Sequence, residues 1–171
     1  MPDNLNRRRR GILAGAGFTV IAVAAIVLLL LREAQTGAND ASQLWTSAQI
    51  AQPADFAKEL TDWKNASEPI VVCVGFQALY RSAHIPGAVF HGPAGTTQGL
   101  DDLKKWARDI SRSKTVVIYC GCCPLSRCPN VRPAFAAMKE LGFPTHLKVL
   151  SIPTDFQTDW TAKGYRVEAG K

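Results

Sequence analysis

Four of the five cysteines in this chain fall within nine residues, in the run Cys120-Gly121-Cys122-Cys123-Pro124-Leu125-Ser126-Arg127-Cys128. The run follows the apolar stretch Thr115-Val116-Val117-Ile118-Tyr119 and precedes a helical pattern with Pro133 near its first turn. A sulfur placed there meets unpaired backbone N–H groups, the positive end of a helix dipole and two cations, Arg127 and Arg132. All of these favour thiolate over thiol, and comparable surroundings lower a cysteine pKa to about 3.5–7.5. The loop is therefore expected to hold a nucleophilic cysteine at neutral pH. Cys73 stands inside the apolar run Ile70-Val71-Val72-Cys73-Val74 and reads as a small, inert core residue.

The elements that must position this loop alternate in the manner of an α/β domain. Residues 55–64 put Phe56, Leu60 and Trp63 on one helical face, and 70–74 form a short continuous apolar run suited to a strand buried on both sides. A short helix over 77–83 leads into a turn at His84-Ile85-Pro86-Gly87-Ala88, then a brief strand at Val89 and Phe90. Leu100, Leu103, Trp106, Ala107 and Ile110 share a stripe over 100–110, with Asp101 and Asp102 read as carboxylates of the helix N-terminus. A strand over 115–119 is followed by a helix over 132–141 stopped by Gly142 and Pro144, a strand over 147–152 and a closing helix over 155–163. Strands separated by helices imply a largely parallel sheet, whose site for chemistry lies outside the carboxyl ends of its strands.

Length and composition bound the rest. With 171 residues, 47% hydrophobic and 20% charged, the chain suits one domain and an accessory segment, and it is neither disordered nor collagen-like. The net charge of +6 suggests nucleic acid only until it is located, since Arg7, Arg8, Arg9, Arg10 and Arg32 supply most of it. Beyond residue 32 there are fifteen Lys and Arg against thirteen Asp and Glu, so no nucleic-acid partner is expected.

Residues 11–31 carry no charge, and as a helix they would extend roughly 31 Å, the thickness of a bilayer hydrocarbon core. This predicts a basic segment over 1–10 on the cytoplasmic side, a transmembrane helix over 11–31, a polar linker over 32–43 and a domain over 44–171. The protein would be single-pass, with its C-terminal domain extracytoplasmic, periplasmic if the source is bacterial. A cleaved signal peptide is the rival reading. The apolar run is longer than the usual signal core of about 7–15 residues, and Thr36-Gly37-Ala38 is the nearest approximation to a cleavage site.

Three features together resemble the rhodanese-like domain family. Tyr119-Cys120 at a strand end, with an arginine-bearing loop and the helix over 132–141, is similar to that family's active-site loop. Ala83-His84-Ile85-Pro86-Gly87-Ala88 is similar to its second signature, and Trp160-x-x-x-Gly164-Tyr165-x-Val167 to its C-terminal end. The resemblance spans about 44–167. It implies a parallel sheet of about five strands flanked by helices, and a sulfurtransferase that carries sulfur as a cysteine persulfide without a metal or organic cofactor. The partners it implies are a small anionic sulfane-sulfur donor such as thiosulfate and an acceptor such as cyanide or a thiol. The family loop runs cysteine, four residues, arginine. Counted from Cys120 the fifth position is Leu125, so the loop is longer here by about four residues, whereas Cys122 has Arg127 at the family spacing. Strand-end placement favours Cys120 as nucleophile and spacing favours Cys122; placement weighs more, because it decides where the sulfur lies relative to sheet and helix. Cys123 and Cys128 remain candidate alternative or resolving thiols, with Arg127 and Arg132 as binding groups for the donor. Two further departures, Cys73-Val74-Gly75 after an early strand and Ser151-Ile152-Pro153-Thr154 after the last, bear on substrate choice rather than on fold.

The same cysteines admit other chemistry. Cys122 or Cys123 bridged to Cys128 would staple a long loop, the usual fate of cysteines outside the cytoplasm. A thiol–disulfide or redox module could use all four, and so could a noncatalytic metal or sulfur carrier, although the Cys-x-Cys-Cys crowding is unlike the two-plus-two spacing of structural zinc sites. His84 reads as a turn-holding hydrogen-bond group, while His91 and His146 show no partner pattern.

Overall fold

The computed structural model describes residues 44–62, 68–143 and 145–170. The chain divides into two units, 1–43 and 44–171, and the second holds every described residue. The basic segment, transmembrane helix and linker expected over 1–43 therefore lie outside the described residues, as do Trp63, Lys64 and Pro144. Among the described residues no helix is long and apolar enough to cross a membrane.

Five strands form one sheet: β1 (Ile50–Ala51), β2 (Ile70–Cys73), β3 (Val89–Phe90), β4 (Val116–Tyr119) and β5 (Leu147–Leu150). Their order is β1-β5-β4-β2-β3, and every pairing is parallel. The central strand β4 is buried at all four positions, because its side chains alternate between two separate cores. Val116 and Ile118 face one core with Leu103, Phe135 and Met138; Val117 and Tyr119 face the other with Phe56, Phe156 and Trp160.

The first core is closed by α3 (Thr97–Arg108) and α4 (Val131–Glu140), the second by α1 (Pro53–Asp62), α2 (Gln77–Ser82) and α5 (Phe156–Asp159). The two-sided α/β arrangement and parallel sheet match the expectation from the sequence. Several local details differ. Helix α3 begins at Thr97, three residues before the expected start, because the Thr96 hydroxyl accepts a hydrogen bond from Gly99 N at 3.1 Å and caps it. Asp101 and Asp102 consequently lie beyond the first turn. Asp102 instead meets His91 Nδ1 at 2.7 Å, and the His91 ring stacks on Trp106, giving His91 a partner that sequence spacing did not suggest. The closing helix expected over 155–163 is two pieces, α5 and a 3-10 turn at Thr161–Lys163, separated at the fully buried Trp160, whose backbone leaves helical geometry. The two-residue strand β1 carries too little periodicity to be seen in the sequence.

His84 is buried, with Nδ1 2.8 Å from the Tyr80 carbonyl and its ring stacked on Tyr80. Its backbone exchanges hydrogen bonds with Glu168, joining the turn after α2 to the C-terminal tail. The hydrogen bonds of His84 thus serve architecture, at a distance from the cysteine loop in sequence and on a separate set of contacts.

Candidate functional site

Strand β4 ends at Tyr119, and Cys120 is the next residue, at the carboxyl edge of the sheet where β4 lies between β2 and β5. Cys120 Sγ lies so near the chain leaving β2 that a Cβ added at Gly75 would stand 3.0 Å from it. A side chain at position 75 would crowd the sulfur, which gives a physical reason for glycine after Val74. The loop then turns back through Cys122 and Cys123, passes a 3-10 turn at Leu125–Arg127, and reaches Cys128 just ahead of α4. The extra length is anchored: Leu125 N donates to Ile152 O at 2.8 Å, and Phe156 N to Gly121 O at 3.1 Å.

This path brings all four loop sulfurs within 4.8 Å of one another. Cys120 and Cys122 are 3.2 Å apart at sulfur, as are Cys122 and Cys123. All five cysteines are free thiols, so the bridge expected between Cys122 or Cys123 and Cys128 is not formed. Thiols in contact at these distances are well outside the roughly 2.05 Å of a disulfide, and the loop is held by the backbone hydrogen bonds above instead. Cys73 is buried on the opposite face of the sheet, where burial pushes its thiol up to about 11, in keeping with an inert residue.

The four thiols are not equivalent. Cys120 and Cys128 are 3% and 2% exposed, whereas Cys122 and Cys123 are partly open to solvent. The neighbouring Cys128 sulfur pushes the Cys120 thiol far up, with burial adding to the effect. Cys128 is drawn down to about 6, first by the neighbouring Cys120 thiol and then, against the cost of burial, by backbone N–H groups of Val131 and Asn130. Burial and the neighbouring cysteines push Cys123 up to about 12. Among the shifted loop thiols, Cys128 at the N-terminus of α4 is the one drawn toward the thiolate, while Cys120 and Cys123 are pushed toward the thiol.

The main influences on the shifted loop thiols are hydrogen bonds and burial, with no arginine among them. Arg132 is exposed with its guanidinium over the Trp45 ring, 5.5 Å from its centroid. Arg127 is exposed on the 3-10 turn, with no ion-pair partner among the described residues.

Asn130 is the site residue that sequence reasoning missed. It stands at the N-cap of α4, where an asparagine side chain ordinarily caps the helix, yet it makes no capping hydrogen bond. It is 2% exposed, and its Oδ1 accepts from Gly95 N at 2.8 Å. That donor settles the orientation of the amide, so Nδ2 faces Cys120 Sγ at 3.5 Å and Cys122 Sγ at 4.0 Å. A buried amide aimed at sulfur favours negative charge there. Asn130→Asp would keep the acceptor for Gly95 but remove the donor and add a like charge. The expected result is alkylation of the partly open Cys122 by iodoacetamide slowed by about threefold or more at fixed pH, read by peptide mapping. An unchanged rate would confine Asn130 to shaping the loop.

An open groove of about 300 Å³ reaches the loop, lined in part by Leu79, Ala83, Gly121, Cys122, Asp155 and Phe156. Cys122 is the loop sulfur residue on its wall, while Cys120 lies behind it. A small anion entering there meets Cys122 first. The arrangement can support nucleophilic attack on sulfur, because it combines a thiolate, N–H donors and access from solvent. Four converging thiols also match the softness and number of donors that Zn(II) or Cu(I) takes, although a tetrahedral zinc–thiolate set spaces its sulfurs by about 3.8 Å, wider than the 3.2 Å contacts found.

Residues 53–151 match a family model described as a Rhodanese-like domain. Among solved structures, the BH2092 protein from Bacillus halodurans aligns with a TM-score of 0.53 at 22% identity, covering 70% of this chain and 76% of that one. The Alr3790 protein from Anabaena sp. aligns with a TM-score of 0.53 at 17% identity, covering 70% and 92%. The solution structure of the rhodanese-like domain of that Anabaena protein aligns with a TM-score of 0.51 at 16% identity, covering 71% and 79%. At these identities the likeness is one of fold. No curated protein matches the chain significantly.

Proposed function

The chain belongs to the rhodanese-like domain family, and from that premise we propose that its cysteine loop is a sulfurtransferase site, with Cys120 carrying sulfane sulfur as a persulfide. The observation that carries this reading is the convergence of four thiol sulfurs within 4.8 Å at the carboxyl end of β4, with Cys128 among them drawn toward the thiolate. Cys120 is chosen for its place at the strand end, beside Gly75 and under the Asn130 amide.

Cys120 attacks the outer sulfur of an anionic donor such as thiosulfate while its proton passes to the neighbouring Cys128 thiolate, so that no free Cys120 thiolate has to form first. A new S–S bond forms to Cys120, the old S–S bond breaks, and sulfite leaves with the bonding pair. The persulfide is itself an anion, and the donors already aimed at Cys120 Sγ, the Cys122 backbone N–H and Asn130 Nδ2, are available to it. Arg127, exposed and without an ion-pair partner among the described residues, is the cation that draws the donor toward the loop. Attack by cyanide or a thiol on the outer sulfur then returns Cys120 to its thiolate.

The test is sulfite formation when reduced protein meets thiosulfate. About one sulfite per protein chain is expected in the first turnover, and its absence would remove the proposal. Stoichiometric zinc or copper in anaerobically purified protein, blocking sulfite formation, would replace it with an ion-binding reading.

The membrane anchor over 11–31 is part of the same proposal. Full-length protein is expected in the membrane fraction with an intact N-terminus by mass spectrometry. A trimmed, soluble form would replace the anchor with a cleaved signal peptide.

A further inference from the structure

A persulfide carrier needs one thiol, yet this loop surrounds Cys120 with three more. Resting on the loading step above, we propose a further activity: the loop reduces the sulfur that it takes up, with Cys128 attacking Cys120 Sγ of the persulfide to form a Cys120–Cys128 disulfide and release hydrogen sulfide.

Loop geometry favours this pair over the nearer Cys120–Cys122 contact. Cys128 Sγ lies within 4.8 Å of Cys120 Sγ, so closure to about 2.05 Å requires side-chain rotation and a small loop shift. Cys122 is as near to Cys120 as to Cys123 at 3.2 Å. However, Cys122 and Cys123 are adjacent residues, and Cys120 and Cys122 are separated by one, so either bridge would close a small, strained ring. Cys120 and Cys128 span the whole loop with the 3-10 turn between them, which leaves backbone to absorb the change. Both sulfurs are buried, so the inner sulfur of a persulfide on Cys120 is in reach of Cys128, while its outer sulfur is the atom that an external acceptor meets.

The step balances. After loading, Cys128 carries the proton received from Cys120, and the persulfide is anionic. The proton moves from Cys128 to the outer sulfur, and the Cys128 thiolate attacks the inner sulfur. A Cys128–Cys120 S–S bond forms, the bond from Cys120 to the outer sulfur breaks, and hydrosulfide leaves with the electron pair. Two cysteine thiols are oxidised, and the sulfane sulfur is reduced to sulfide, so the donor itself is the oxidant. An external dithiol would be needed only to reopen the disulfide for another cycle.

The experiment uses reduced full-length protein and one equivalent of thiosulfate under argon, with no cyanide and no added thiol. Sulfite, sulfide and the non-reduced peptide map are measured together. The expected result is sulfide equal to sulfite, no sulfur retained, and a Cys120–Cys128 cross-linked peptide. Sulfite with sulfur retained on the protein and no sulfide overturns the inference while leaving sulfur loading intact. A bridge between another pair overturns the role of Cys128. Absence of sulfite removes the loading step and this inference with it. In Cys128→Ser, loaded slowly with excess thiosulfate at pH 9 until about one sulfite per chain has formed, the persulfide is expected to persist and yield thiocyanate with cyanide, with sulfide per sulfite below about a tenth of the wild-type ratio; the wild-type ratio of sulfide to sulfite would overturn the assignment.

Discussion

Cys120→Ser is expected to lower sulfite formation from thiosulfate by at least about 10³-fold, because the variant loses the atom to which the transferred sulfur bonds. A serine hydroxyl fits the same space, so the fold should hold; Cys120 already sits in a packed site against Gly75. Circular dichroism and a stopped sulfite assay would check both halves. The informative comparison is Cys122→Ser. Cys122 faces the open groove and has Arg127 at the family spacing, so it is the alternative site of loading. If Cys120→Ser still forms sulfite and Cys122→Ser does not, the carrier is Cys122 and Cys120 becomes the buried partner behind it.

Acidification should reduce the loading rate through a midpoint near pH 6. The sign follows from the role of Cys128 as proton acceptor: its thiolate exists above its pKa of about 6 and is lost as pH falls below it. From pH 7 to pH 5 the thiolate fraction drops from about nine-tenths to about one-tenth, a roughly tenfold loss of rate. An unassisted cysteine would titrate about two units higher or more, so a rate still rising steeply between pH 7 and pH 9 would show that the loop does not hold its charge as described. Stopped-flow sulfite formation across pH 5–9 at constant ionic strength distinguishes the two. Cys128→Ser should lose the midpoint near pH 6, because the thiol that titrates there is gone.

Both results depend on a division of labour within the loop that residue types could not reveal. Composition and spacing suggest a thiolate beside two arginines. The folded loop stabilises its charge with a neighbouring S–H and the N–H groups of Asn130 and Val131, and turns Arg132 toward Trp45. Sequence spacing counts how far apart side chains are along the chain. It does not say which of four equivalent thiols faces the helix N-terminus, since that depends on the 3-10 turn at Leu125–Arg127 and its tie to Ile152. Asn130 was hidden for a related reason. An asparagine before a helix reads as a cap, and only the approach of Gly95 and two sulfurs shows that its side chain is used elsewhere.

Much was nevertheless decided by the sequence. Continuous apolar runs at 70–74 and 115–119 can be satisfied only by strands covered on both faces, and the helical stripes between them supply those covers. A parallel sheet follows, and with it a loop of cysteines at its carboxyl edge, because local patterning and burial act over a few residues and survive without knowledge of the fold. The tertiary structure alone decided that Ile50–Ala51 forms the edge strand, the free state of the thiols, the burial of Cys120 in contact with the more open Cys122, and the lowering of Cys128. Those are properties of atoms brought together from distant parts of the chain, where differences of an ångström or two determine which sulfur gives up its proton.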